Sequence, residues 1–123
     1  MRLDRLKQRA DFLRIAALRR KWAAPGLILQ AAPSTGLEDQ ADSLRVGFTV
    51  SKKVGNAVCR NRAKRRLRSA VDEVFPSQAA SGLDYVVIGR RETLERPYSL
   101  LLQDLRAALK RVGGLRTLPE AQP

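Results

Sequence analysis

The spacing of hydrophobic and polar residues along the chain predicts three strands. Over 44–51, apolar residues alternate with polar or small ones, a period of two that is typical of a strand with one buried face. An apolar run predicts a shorter strand near 26–32, and continuous apolar residues at 85–88 predict a buried strand. Together these segments predict a small sheet.

Apolar residues at helical spacing predict three helices. The first lies near 8–19, and the second lies over 57–75. Pro97 can open the third, and the glycine pair at 113–114 ends it. The apolar stripe of this third helix consists of Leu101, Leu105, Ala108, Leu109 and Val112.

The order of these elements is helix, strands, helix, strand, helix. It implies an α/β (α+β) two-layer sandwich in which helices cover one or both faces of a small sheet. The polar, acidic stretch 33–43 is predicted to be an exposed loop. A length of 123 residues suits a single domain, which we place at 1–114. The segment 115–123 carries two prolines and is expected to be a flexible tail.

The second helix carries the strongest charge signal. Asn56 can cap its start, and Pro76 is expected to stop it. The overlapping segment 52–68, KKVGNAVCRNRAKRRLR, holds eight cations in seventeen residues and no acid. On a helix, one side is an apolar stripe of Cys59, Ala63, Leu67, Ala70, Val71 and Val74. The other side centres on Asn61, Lys64, Arg65 and Arg68, with Arg62 on its shoulder.

A basic helix is often only a solvated surface. Such helices, however, usually mix charges of both signs through i,i+4 pairs, and the first acid after this run is Asp72. Arginine also outnumbers lysine five to one over 60–68, and arginine can bind phosphate bidentately and stack on bases. The segment therefore favours a phosphate-binding surface.

Overall composition points to the same class of partner. Lys+Arg is 24 against 12 for Asp+Glu, a formal net charge of +12, which a polyanion such as nucleic acid would neutralise. An anionic membrane is a weaker candidate, because no helix carries large apolar anchors. The chain has no histidine and a single cysteine, which fits a reducing compartment and gives few metal ligands. Without a P-loop or paired carboxylates, the chain is predicted to bind rather than to catalyse.

The aromatic residues leave two interpretations open. Phe12 and Phe48 can stack on unpaired bases, or they can belong to the core. Trp22, beside Lys21 near the start of a strand, has no role that the sequence assigns.

The run 45–68 closely resembles the bacterial ribonuclease P protein family. That family carries a strand ending in S-K-K, a G-N-A-V turn and an R-N-R helix. The matching residues are Ser51-Lys52-Lys53, Gly55-Asn56-Ala57-Val58 and Arg60-Asn61-Arg62. LKQRADF at 6–12 is similar to the family's opening helix, and the resemblance extends over about 5–112.

The resemblance implies a fold and a function. The sandwich would contain a left-handed crossover through the R-N-R helix, against the usual right-handed rule. The protein would be the accessory subunit of an endoribonuclease in the bacterial cytoplasm that removes the 5′ leader of precursor tRNA. Its partners would be ribonuclease P RNA and precursor tRNA, with no membrane and no small-molecule substrate. The RNA would hold the catalytic magnesium ions, so the protein would supply no catalytic residue, metal ligand or cofactor of its own.

The resemblance also implies two sets of contact residues. RNA contacts are expected at Lys52, Lys53, Asn56, Arg60, Asn61, Arg62, Lys64, Arg65 and Arg68. A cleft for the leader, between the opening helix, one sheet face and part of the R-N-R helix, is expected to be lined by Phe12, Ile28, Gln30, Thr49 and Asn61. Ala16 and Gln30 stand where many members have an aromatic residue, so fewer rings are available to stack on the leader.

Two other functions stay open on the sequence alone. One is a structural, ribosomal-type RNA-binding protein with no processing role, and the other is a nuclease that needs no RNA. Leader removal assayed with the protein alone, with the RNA alone and with both would separate them.

Overall fold

A mixed five-stranded sheet lies at the centre of the fold. The computed structural model describes residues 2–34 and 43–115. The strands are β1 Arg2–Arg5, β2 Lys21–Ala23, β3 Leu27–Pro33, β4 Ser43–Thr49 and β5 Leu83–Gly89. Their order across the sheet is β1-β4-β5-β3-β2. β4 is parallel to β1 and β5, whereas β3 is antiparallel to β5 and β2. The three predicted strands are confirmed as β3, β4 and β5.

Three helices cover the two faces of this sheet. They are α1 Arg9–Ala17, α2 Ala57–Gln78 and α3 Tyr98–Arg111, and all three were predicted. α2 and α3 pack side by side on one face, and α1 packs on the other against β3 and β5. Because side chains alternate along a strand, β3, β4 and β5 each contribute to both faces.

The larger core lies between the sheet and the pair α2 and α3. The apolar stripes predicted for these two helices are buried in it, except that Cys59 is half-exposed. The strands contribute Leu27, Leu29, Ala31, Leu44, Val46, Tyr85 and Val87. A smaller cluster under α1 consists of Leu6, Ile15, Ala32 and Val86, with Phe12 and Ile88 packed against it. Aliphatic side chains thus dominate both the larger core and the smaller cluster under α1.

β1 and β2 were not predicted. β1 has the sequence RLDR and β2 has the exposed sequence KWA, so neither shows the alternation that marks a half-buried strand. Both lie at edges of the sheet, where charged residues are favoured because they discourage pairing with another chain.

The predicted end of α2 at Pro76 is wrong, because the helix continues to Gln78. Proline removes one backbone donor, but near the end of a helix the loss is small. The ladder resumes beyond it, since the N–H of Ala79 donates to the carbonyl of Phe75 at 3.0 Å. Phe75 and Ala79 are both fully buried, so core packing also favours the extra turn.

The unit β4-α2-β5 joins two adjacent parallel strands through a helix. The left hand of this connection stays a prediction of the resemblance. The expected loop at 33–43 falls mostly on residues 35–42, outside the described residues. Leu115 forms a bridge with Ala79, and the rest of the expected tail, 116–123, also lies outside them.

Candidate nucleic-acid interface

The N-terminus of α2 gathers positive charge from both backbone and side chains. Asn56 caps the helix as predicted, because its Oδ1 accepts a hydrogen bond at 3.0 Å from the backbone N–H three residues later. The first turn holds no acidic residue, although the helix dipole would stabilise one there. Lys52 and Lys53 precede the cap, and Arg60 and Arg62 follow it. This arrangement favours an anion such as phosphate at the helix N-terminus.

The nine residues expected to contact RNA lie around this helix. Most are exposed, namely Lys52, Lys53, Asn56, Asn61, Arg62, Arg65 and Arg68, while Arg60 and Lys64 are half-buried. Arg66 is turned away, because its guanidinium donates to the carbonyl of Arg96. The structure therefore presents these nine side chains at the surface, and their contact with RNA stays a prediction.

Two grooves run along α2. The first, called the α2 groove, has a volume of about 520 Å³ and is lined by Asn61, Lys64, Arg65, Arg68, Ser69 and Asp72. Arg62 lies outside it, in a neighbouring groove of about 540 Å³ with a more apolar wall that includes Val54, Val58 and Leu94. The basic residues of α2 thus face more than one direction.

A third groove lies between α1, the end of β4 and α2. This α1 groove has a volume of about 470 Å³ and is lined by Lys7, Arg9, Phe12, Leu13, Phe48, Thr49, Val50 and Lys64. Its wall combines apolar side chains with three cations. Because Lys64 lines both this groove and the α2 groove, the two adjoin each other.

The residues expected to form the leader cleft are only partly brought together. Phe12 and Thr49 line the α1 groove. Ile28 and Gln30 lie on the same sheet face, opposite Ile88 and Val86 of β5, but they do not line the groove. Asn61 lies instead in the adjoining α2 groove.

The ring of Phe12 serves both the core and the groove. It is half-buried and packs against the small cluster under α1. Gly47 makes room for it, since a Cβ on that glycine would lie 2.5 Å from Cζ of the ring. The ring therefore rests on the backbone of β4 while it also lines the groove. The core interpretation holds in part, and stacking on an unpaired base stays a prediction.

The ring of Phe48 contacts one arginine of β1 and one arginine of α2. It is half-buried against the larger core, and the guanidinium carbons of Arg5 and Arg68 lie 5.6 and 5.8 Å from its ring centroid, within range of a cation–π interaction. The sequence reasoning missed Arg5 together with Lys7 and Arg9. The sequence feature that could have indicated these three cations is the charge of residues 1–21, which hold eight basic and two acidic residues.

A buried ion network holds α1 in position. The carboxylate of Asp84 in β5 is fully buried and accepts hydrogen bonds from Arg14 of α1 at 2.5 Å, from Arg45 of β4 at 2.6 and 2.9 Å, and from the Ser34 hydroxyl at 2.7 Å. Burial alone would raise the pKa of Asp84, but the hydrogen bonds from Arg45, Ser34 and Arg14 outweigh it and hold the pKa below its ordinary value. The wall of the α1 groove thus depends on a charged anchor.

Within residues 2–34 and 43–115, no three His, Cys, Asp or Glu side chains come close enough together to hold a metal ion. No helix in this part of the chain has the length and hydropathy to cross a membrane.

A mixed sheet that carries a capped basic helix, with a groove of aromatic rings and cations beside it, defines an RNA-binding protein of the α/β sandwich class. The ribonuclease P family model matches residues 1–113. The chain is 79% identical over 121 residues to the ribonuclease P protein component of Paramagnetospirillum magneticum, covering 98% of this chain and 91% of that one. The chain belongs to the ribonuclease P protein family, whose function is maturation of the 5′ end of tRNA.

Solved structures show the same relationship. The ribonuclease P protein of Staphylococcus aureus superposes with a TM-score of 0.72 at 29% identity, covering 91% of this chain and 97% of that one. The ribonuclease P protein of Thermotoga maritima also superposes with a TM-score of 0.72, at 28% identity, covering 88% of this chain and 96% of that one. These matches confirm the predicted family and fold class, and they favour a processing role over the ribosomal-type alternative.

Proposed function

We propose that the chain binds ribonuclease P RNA through the basic surface of α2 and the 5′ leader of precursor tRNA through the α1 groove. The observation that carries this proposal is the adjacency of the two grooves, which share Lys64. The 5′ leader of a precursor tRNA that is docked on the ribonuclease P RNA would then enter the adjoining α1 groove, which already offers aromatic rings and cations.

The α2 surface suits a structured RNA. Its exposed cations surround the positive end of a 22-residue helix, so backbone and side chains attract phosphates together. The buried stripe on the opposite side of α2 fixes the helix to the core. The basic surface is therefore preorganised before RNA arrives.

The α1 groove suits a single strand. Unpaired bases bind proteins by stacking on aromatic rings while cations follow the backbone. Phe12 and Phe48 supply rings, and Lys7, Arg9 and Lys64 supply cations. Ala16 is exposed on α1 and adds no ring, so Phe12 would carry an unusually large share of the stacking.

In this proposal the protein is the accessory subunit of the endoribonuclease. We place the magnesium ions and the catalytic groups on the RNA, as the resemblance to the family implies. The chain's own residues would bind and orient the two RNAs. We further propose that it works in the bacterial cytoplasm, where precursor tRNA is made.

The leader assignment can be tested with Phe12→Ala in the reconstituted holoenzyme. Loss of one stacked ring costs about 1–3 kcal/mol, so precursor tRNA should bind roughly 5- to 150-fold more weakly while mature tRNA is nearly unaffected. Ile15→Ala is the matched control, because Ile15 is fully buried in the same cluster under α1 and does not line the groove.

Melting curves of both variants complete the experiment. Ile15→Ala should lose stability and keep its preference for the precursor. If Phe12→Ala behaves in the same way, with lost stability and unchanged discrimination, Phe12 is only a core residue and the leader assignment is wrong.

A further inference from the structure

A second basic surface lies at the opposite edge of the sheet, where β2 meets the end of α3. Its centre is Trp22, a residue that remains 39% exposed. The guanidinium carbon of Arg111 lies 4.9 Å from the centroid of the indole ring. We call Trp22, Lys110 and Arg111 the Trp22 surface; Arg19 and Lys21, both exposed, flank it in sequence.

The backbone around the Trp22 surface is fixed. Arg20 donates from Nε to the carbonyl of Val112 at 2.5 Å and from a terminal nitrogen to the carbonyl of Gly113 at 3.3 Å. These bonds tie the start of β2 to the C-terminus of α3. The indole and the cations of α3 are therefore held side by side by the fold.

Structural roles account for only part of this arrangement. Lys110 and Arg111 in the last turn of α3 complement the helix dipole, and Lys21 protects an edge strand from pairing. Neither role needs a large apolar ring that stays partly exposed. Within the described residues, neither Lys110 nor Arg111 forms an ion pair, and both side chains are exposed.

The Trp22 surface is separate from the interface proposed above. α2 packs over β4 and β5, whereas α3 packs over β3 and β2. Three strand steps separate β4 from β2, which corresponds to roughly 15 Å between strands before side chains are added. The nucleotides that contact Phe48 and the end of β4 would not be those that reach Trp22.

We propose that the Trp22 surface is a second RNA-binding surface, on which an unpaired base stacks against the indole while Lys110 and Arg111 hold the adjacent phosphates. A single RNA strand presents a flat base next to a phosphate. Proteins commonly bind such a strand by stacking tryptophan or arginine on the base. Arg111 already lies on the ring, so a base would extend an existing stack. The proposal rests on the binding of ribonuclease P RNA, and the partner is an unpaired segment of that RNA.

The protein provides its own probe, because Trp22 is the single tryptophan of the chain. The full-length protein is titrated with ribonuclease P RNA at low salt, while tryptophan emission and its quenching by acrylamide are followed. We expect RNA to change the emission and to protect the indole from acrylamide at least twofold. A short single-stranded RNA should do the same, whereas a duplex of equal length, which lacks unpaired bases, should do so much less.

Three sets of variants locate the effect. Lys110→Gln combined with Arg111→Gln should weaken RNA binding severalfold and abolish the protection of Trp22, with only a small fall in melting temperature from the lost interaction with the helix dipole. Trp22→Ala should weaken binding severalfold, and Trp22→Phe, which keeps a ring, should retain most of the affinity. Arg65→Gln combined with Arg68→Gln should weaken binding through α2 but leave Trp22 protected at saturating RNA, which separates a failure of this surface from a failure of the proposed function.

Either of two results would overturn the proposal. One is full RNA affinity with an indole that stays as accessible as in the free protein. The other is protection that persists in the Lys110 and Arg111 double variant, since the two cations would then hold no phosphate at this surface. Protection by an acidic polypeptide but not by RNA would identify a protein interface instead.

Discussion

Asp84 ties α1 to the sheet, and removal of its charge should loosen that helix. Asp84→Asn keeps the size of the side chain but turns an acceptor of four hydrogen bonds into a neutral amide. In either orientation the amide nitrogen would face a donor of Arg45, together with a donor of Arg14 or of Ser34. Two guanidiniums would then lie close together, with the carboxylate of Asp11 3.4 and 3.8 Å away from them.

The expected loss of stability follows from the burial of the network. Removing one partner of a buried ion pair costs about 3–5 kcal/mol, because it leaves an uncompensated charge. The side chains of Arg14 and Arg45 remain 29% and 22% exposed, so water can solvate the orphaned guanidiniums in part. We therefore expect a loss of about 3 kcal/mol in the free energy of unfolding, measured by urea denaturation.

Asp104→Asn provides a matched control. Asp104 is also a buried carboxylate, paired with Arg96 at 2.9 and 3.1 Å and accepting from the backbone N–H of Gly26 at 2.9 Å. It anchors α3, since its bonds join that helix to Arg96 and Gly26. Both variants should lose stability, but only Asp84→Asn should reduce the preference of the holoenzyme for precursor over mature tRNA.

Acid should act on the same anchor. The pKa of Asp84 lies below the ordinary value of 3.8 in the folded protein, so its carboxylate stabilises the fold at any pH above that value. The stabilisation is lost as the pH falls below about 4 and through the folded pKa. The difference in stability between wild type and Asp84→Asn should accordingly shrink in acid. Equal stability of the two proteins at pH 7, or an equal loss of leader preference in Asp104→Asn, would refute the anchoring role.

The two faces of α2 and its charge give further predictions. Arg62→Ala or Arg65→Ala should weaken binding of ribonuclease P RNA and change the free energy of unfolding by no more than about 0.5 kcal/mol. Leu67→Ala should instead lower that free energy by about 2–5 kcal/mol, because Leu67 is fully buried. Equal shifts in melting temperature would contradict the assignment of the faces. Binding through about six phosphates should weaken on the order of a thousandfold between 50 and 200 mM salt, as measured by filter binding, and a flat salt dependence would rule out an electrostatic interface.

The sequence predicted those features that depend on local periodicity. The period of α2 separated Leu67 from Arg65 correctly, because side-chain direction on a helix follows from spacing alone. The cap at Asn56 was equally local. The edge strands β1 and β2 were missed, because they are held by pairing with β4 and β3 rather than by an apolar face of their own.

The shape of the candidate site depends on long-range register and could not be predicted. Arg14, Arg45 and Asp84 are far apart in sequence, and only the parallel pairing of β4 with β5 and the docking of α1 bring them together. Gly47 admits the ring of Phe12 for the same reason. No pattern in the sequence indicates either contact.

We propose that this protein acts with a catalytic RNA to remove the 5′ leader. The most direct measurement is cleavage of precursor tRNA by the purified protein alone, by a bacterial ribonuclease P RNA alone, and by both together at low magnesium. We expect efficient cleavage only by the combination and none by the protein alone. Cleavage by the protein without RNA, or no gain when it is added to the RNA, would contradict the proposed function.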